Sequence, residues 1–162
     1  MSNNKTQIIA PAGQPDFEIR REFAATRENV FRAFAEPGLL KQWFMPGEMN
    51  MTIEKMECRT GGSFQNSHVH PNGMKFGFRG VYHEVKAPDM IIRTSEFTGL
   101  PQKMQPVLET TKFESMENGN TTVIIHTLCP SVEYRDAMIQ NGMEQHLQRS
   151  HQLLENILLN IT

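Results

Sequence analysis

The stretch Val132–Ile161, VEYRDAMIQNGMEQHLQRSHQLLENILLNI, decides the fold. Met143, Leu147, Ser150, Leu154, Ile157 and Ile161 recur at helical spacing, with Leu153 and Leu158 beside them. One side of the segment is therefore apolar and must be covered. Ser131, after Pro130, supplies an N-cap, and the pattern predicts one long helix. Gly142 inside it costs about 1 kcal/mol relative to Ala. It fits a bend or a close approach to another backbone.

What precedes this segment supplies the cover. From Met51 to Leu128 the chain reads as strand after strand: Met51–Cys58, Gly62–His70, Met74–Lys86, Met90–Glu96, Gln105–Glu117 and Asn120–Leu128. Thr60-Gly61-Gly62, His70-Pro71-Asn72-Gly73, Ala87-Pro88-Asp89 and Glu117-Asn118-Gly119-Asn120 punctuate them. Asn-Gly between alternating segments is a strong hairpin signal, and short turns join antiparallel neighbours. The connection TGLPQKMQP is longer and Pro-rich, as a mobile loop is. Upstream, DFEIRREFAA alternates Phe17, Ile19, Arg21 and Phe23 against Glu18, Arg20 and Glu22, a strand whose apolar face Arg21 interrupts. TRENVFRAFAE follows as a helix, with Thr26 as N-cap and Glu28 in the first turn, ended by Pro37-Gly38. GLLKQWF adds a second short helical turn before Pro46. Residues 1–15, polar and rich in Pro, Gly and Asn, read as a flexible segment ahead of one domain over 16–162. An antiparallel sheet wrapped around one C-terminal helix follows from this order, an α+β architecture with the short helices at the mouth.

Composition narrows the function. The chain has 162 residues, 16 basic against 18 acidic, and a formal charge of −2. A nucleic-acid surface needs clustered Lys and Arg, which are missing. No apolar run approaches the ~20 residues that span a bilayer, and MSNNKTQIIAPAGQPD has no apolar signal core. A cytoplasmic location without membrane insertion is the expectation. Cys58 and Cys129 lie in strand-like segments and read as reduced core residues. No CxxC, no nucleophile elbow, no dinucleotide fingerprint and no phosphate loop is present. No cofactor, metal or catalytic set is therefore expected.

Several polar residues interrupt apolar faces. In FGFRGVYHEV, Phe76, Phe78, Gly80, Tyr82 and Glu84 share a face. If that face is the inner one, the Tyr82 hydroxyl points inward and needs a partner, either a ligand group or a backbone carbonyl. In GSFQNSHVH, Phe64, Asn66, His68 and His70 share a face, which predicts a partly polar wall if Phe64 points inward. A solvated hairpin end is the other reading for the two histidines. Arg93 and Glu109 also interrupt apolar strands. Inside they need each other; exposure at an edge is the reading favoured. His146 flanks the apolar stripe of the last helix.

The segments REFAATRENVFRAFAEPGLLKQWFMP, RTGGSF, NGMKFGFRGVYHEVKAPDMI and NGMEQHLQRSHQLLENIL resemble the family of the activator of the ninety-kilodalton heat-shock protein ATPase homologues, within the START-like (SRPBCC) superfamily of the helix-grip fold. The likeness runs from about Phe17 to Leu158. Val30-Phe31, Ala33, Pro37, Trp43 and Pro46 stand in the family pattern, while Phe44, Thr26, Met45 and Met143 depart from it. The resemblance implies a seven-stranded antiparallel sheet curved around the C-terminal helix, with a cavity between them. It implies binding of a small hydrophobic or aromatic molecule, lipid-like, polyketide-like or flavonoid-like. The alternatives are a cyclase, aromatase or hydrolase acting on a polyketide-like substrate, and a stress-related chaperone-partner module. The expected lining or lip comprises Trp43, Phe44, Met45, Phe64, Asn66, His68, Phe76, Phe78, Tyr82, Met143 and Leu147, although an apolar residue such as Phe44 or Met45 suits a plain core as well. Neither a monomer nor a homodimer is favoured.

Overall fold

The computed structural model describes residues 5–45 and 47–161. Eight strands, β1 (Gln7–Ile9), β2 (Asp16–Phe23), β3 (Asn50–Met56), β4 (Ser63–Val69), β5 (Lys75–Lys86), β6 (Met90–Thr98), β7 (Val107–Ser115) and β8 (Thr121–Leu128), form one antiparallel sheet in the order β1-β2-β8-β7-β6-β5-β4-β3. α1 (Arg27–Ala35) and α2 (Pro37–Leu40) follow β2, and α3 (Val132–Gln140) and α4 (Met143–Leu158) end the chain.

Two expectations need correction. The sheet has eight strands instead of seven, because Gln7–Ile9 pairs with Glu18–Arg20 of β2. The last helix is two: Gly142, at φ +83, takes a left-handed conformation that ends α3 and starts α4. Glycine adopts it without the Cβ clash other residues meet. The expected caps hold. Thr26 accepts from Asn29 N–H at 3.3 Å, and Ser131 from Tyr134 N–H at 3.0 Å.

The sheet faces two apolar clusters. The larger joins Phe23, Val30, Phe31, Trp43, Phe113, Val123 and Leu154, tying α1, α2 and α4 to the sheet. Phe31 and Phe34 meet Phe113 edge-on at 5.3 and 5.2 Å, and Trp43 Nε1 donates to Ala33 O at 3.0 Å. Each such buried side chain contributes roughly 1.5–3 kcal/mol by leaving water. The smaller cluster lies under α3, where Tyr134, Met138 and Ile139 cover Phe17, Ile19, Val107 and Cys129. Arg135 moors that helix, donating to Pro11 O at 2.7 Å and Asp16 O at 3.0 Å.

Arg21, the residue that interrupts the face of β2, meets Glu155 of α4 at 2.9 Å with both side chains almost wholly buried. Thr6 joins the pair: its hydroxyl lies 3.5 Å from Arg21 Nη1 and 2.8 Å from His151 Nδ1. Gln148 closes the group by exchanging hydrogen bonds with the Thr6 backbone, at 3.2 and 2.8 Å. Removing one member of a buried pair leaves an uncompensated charge, at a cost of about 3–5 kcal/mol. Glu155→Ala is expected to lose that much in urea denaturation, whereas Arg21→Met/Glu155→Leu recovers most of it. A Glu155→Ala loss below about 1 kcal/mol would contradict a structural role for the pair.

Candidate functional site

Strand register builds the site. Tyr82 of β5 stands opposite Arg93 of β6, Arg93 opposite Glu109 of β7, Glu109 opposite Thr127 of β8, and Thr127 opposite Phe17 of β2. Cross-strand partners share a face, so Tyr82, Arg93, Glu109 and Thr127 form a polar row, ending at Phe17, on the side of the sheet that carries the helices. Arg93 Nε donates to Glu109 Oε1 at 2.8 Å, with about a fifth of each side chain exposed. The guanidinium lies over the Phe64 ring, 4.4 Å from its centroid. Gly80, opposite Phe64 in the register, permits that stacking, since a Cβ there would overlap Thr94 O and crowd Phe64. The Tyr82 hydroxyl faces the Arg93 guanidinium and the Cys58 thiol, and burial pushes its pKa up to about 12.

Two pockets flank the row. The inner one, about 130 Å³, lies against the Ile91–Thr111–Ile125–Ile19 rung of the sheet, closed by Trp43, Leu147 and His151. The outer one, about 420 Å³, lies between the sheet, the β6–β7 connection and α3, lined by Phe78, Phe97, Leu100, Met104, Val107 and Met138 among others. Glu109 lines both. For scale, a dry apolar cavity of about 150 Å³ holds benzene.

The expected residues divide. Trp43, Phe44, Tyr82 and Leu147 line the inner pocket, and Phe78 the outer. Phe64 and Asn66 wall a separate void of about 10 Å³ beside Arg93. His68 is wholly buried and not at a solvated hairpin end. Its ring stacks on Phe44 at 5.9 Å and on Phe76 at 5.2 Å, with Nε2 2.8 Å from Asn66 Oδ1 and no partner at Nδ1. Phe76 also stacks on Phe97 at 5.5 Å, closing an aromatic wall. Met143 packs in the cluster under α3, and Met45 lines neither pocket. Arg93 and Glu109 lie on central strands, so the edge reading is overturned: with β1 and β3 at the rims, β6 and β7 are interior. Leu100, Met104, Tyr134 and Met138 were not legible as lining. The Pro-rich connection was the one pointer to that lobe. Among the described residues no group of three His, Cys, Asp or Glu stands placed to hold a metal ion, and no helix is long and apolar enough to cross a membrane.

The family model described as Activator of Hsp90 ATPase homolog 1-like protein matches residues 24–158. A crystal structure of a protein from Rhodobacter sphaeroides is 25% identical, with a TM-score of 0.87, covering 97% of this chain and 99% of its own. A solution structure of a protein from Staphylococcus epidermidis is also 25% identical, with a TM-score of 0.81 and 93% of each chain covered. The AHSA1 protein of Silicibacter pomeroyi, 18% identical with a TM-score of 0.72 over 90% of this chain and 98% of its own, shares the fold. No curated protein matches.

Burial depresses the pKa of His68 to about 4 and of His151 to about 3, the Arg21 cation adding to the effect on His151. Both rings stay neutral in the fold, while the unfolded chain takes up their protons near 6.5. This stability is therefore complete above pH 6.5 and is lost as pH falls towards 4 and 3. Unfolding free energy is expected to drop between pH 7 and pH 5 by about 1–2 kcal/mol per histidine. His68→Phe should lessen that drop, and an unchanged drop in the variant would show that His68 takes no part.

Proposed function

The chain belongs to the Activator of Hsp90 ATPase homolog 1-like family, and from that premise we propose that it binds a small, largely apolar molecule between its sheet and its C-terminal helices. One observation carries the proposal: an outer pocket of about 420 Å³ walled by Phe78, Phe97, Leu100, Met104 and Met138. Ligand sites are concave, mostly apolar and supplied with a few convergent polar groups, and Glu109, whose charge Arg93 balances from outside this pocket, supplies one here. Two thioethers in the wall adapt to more than one ring shape. Lipid-like, polyketide-like and flavonoid-like molecules all suit such a wall. Binding without turnover is favoured over catalysis, because among the described residues no second carboxylate, histidine or cysteine lines this pocket to work with Glu109.

Native mass spectrometry of protein purified from its own host is expected to show a co-purified small molecule. Naphthalene serves as a defined probe. With methionine methyls labelled by carbon-13, titration is expected to shift Met104 and Met138 and leave the exposed Met74 and Met116 in place. Ala137→Trp, which fills the pocket from α3, should weaken binding by about ten-fold or more. If no naphthalene-dependent shift occurs up to its solubility, the pocket is not a binding site.

A further inference from the structure

We propose that the polar row selects an uncharged ligand with one hydrogen-bond donor, a phenol or alcohol whose rings fill the outer pocket and whose hydroxyl donates to Glu109. This rests on the reading that the outer pocket takes a ligand. Among the described residues Glu109 is the only charged side chain in that pocket's wall. Among the described residues its one donor is Arg93 Nε, at 2.8 Å on Oε1. A carboxylate has two oxygens and room for several donors, so the second oxygen is available to a ligand.

The charge state of the head follows from the pair. Arg93 is engaged by Glu109, by the face of Phe64 and by the Tyr82 hydroxyl. A ligand carboxylate entering the outer pocket meets the negative charge of Glu109 first, with its compensating cation already held on the far side. A ligand ammonium attracted to Glu109 comes up against the Arg93 guanidinium. Either ion also leaves water for a wall made mostly of Phe, Leu, Met and Val, a transfer that is costly for an unpaired charge. A hydrocarbon avoids those penalties but leaves a carboxylate oxygen without a donor when it displaces water. A neutral hydroxyl avoids all three, and a hydrogen bond to a charged acceptor is the stronger kind. A phenol, with a pKa of about 10, keeps its proton at pH 7, and the negative charge of Glu109 beside it disfavours a phenolate further.

Four probes of one shape test the idea at pH 7: naphthalene, 2-naphthol, 2-naphthoate and the 2-naphthylmethylammonium ion, each titrated against the Met104 and Met138 methyl signals. 2-Naphthol is expected to bind roughly ten-fold or more tightly than naphthalene, and both ions more weakly than naphthalene. In Glu109→Gln the guanidinium loses its counter-charge, so 2-naphthoate should gain and 2-naphthol lose affinity. Should that variant not fold, Arg93→Met/Glu109→Met replaces the pair with apolar side chains; it is expected to keep naphthalene and lose the preference for 2-naphthol. Equal binding of naphthalene and 2-naphthol, or 2-naphthoate binding tightest to the unaltered protein, would overturn the proposal while leaving the pocket as a binding site. Silence of both methyls to all four probes would instead remove the pocket reading on which it rests.

Discussion

The buried pair of Arg21 and Glu155 is the constraint on which the arrangement of sheet and helix depends. Hydrophobic contact alone would let α4 rotate or slide, because Leu, Ile and Met side chains substitute for one another at little cost. An ion pair in a low-dielectric interior does not permit that freedom, since a misplaced partner leaves a bare charge. Arg21 Nε and Glu155 Oε1 already lack hydrogen-bond partners, which gives the contact little slack. With Glu155 fixed against β2, the preceding turns place His151, Ser150 and Leu147 over the inner pocket. The same group holds Thr6, so the β1 end of the sheet is fastened by the contact that sets the helix.

The second constraint is register. A sheet that buries one face spends it on apolar side chains, and each polar residue there needs a partner on a neighbouring strand. Tyr82, Arg93, Glu109 and Thr127 fall in line across four strands, so their polar groups lie side by side instead of scattered. The rungs on either side of that line, Ile91–Thr111–Ile125–Ile19 on one and Ser95–Val107 on the other, separate the two pockets. The aromatic wall of Phe76, Phe78 and Phe97 then makes the outer lobe the greasier one, and α3 with the β6–β7 connection makes it the larger.

Much of this was legible in the sequence, and the failures have identifiable causes. The six strands after α2 were read close to their true bounds because turns containing Gly or Pro mark their ends. The inward face of β5 was legible from Phe76, Phe78 and Tyr82. The placement of Arg93 and Glu109 was not, because a register shift between Tyr82 and Glu84 breaks the simple alternation by which one strand's parity is carried to the next. The strand Gln7–Ile9 was missed because its apolar residues, Ile8 and Ile9, are too few to show alternation; its pairing comes from tertiary contact. The division of the last helix was half legible: Gly142 signalled a bend, but only a positive φ turns a bend into a break. The outer pocket was hidden because its walls come from β5, β6, the β6–β7 connection, β7 and α3, and no pattern within one segment shows that they meet.

Arg135 ties α3, the roof of the outer pocket, to the carbonyls of Pro11 and Asp16. Those two residues precede the region that the family model spans. The seat of α3 is thus set by backbone that lies ahead of the residues the family model matches. A shift of the backbone at residue 11 or 16 would therefore carry α3 with it, although neither residue touches the wall that α3 helps to form.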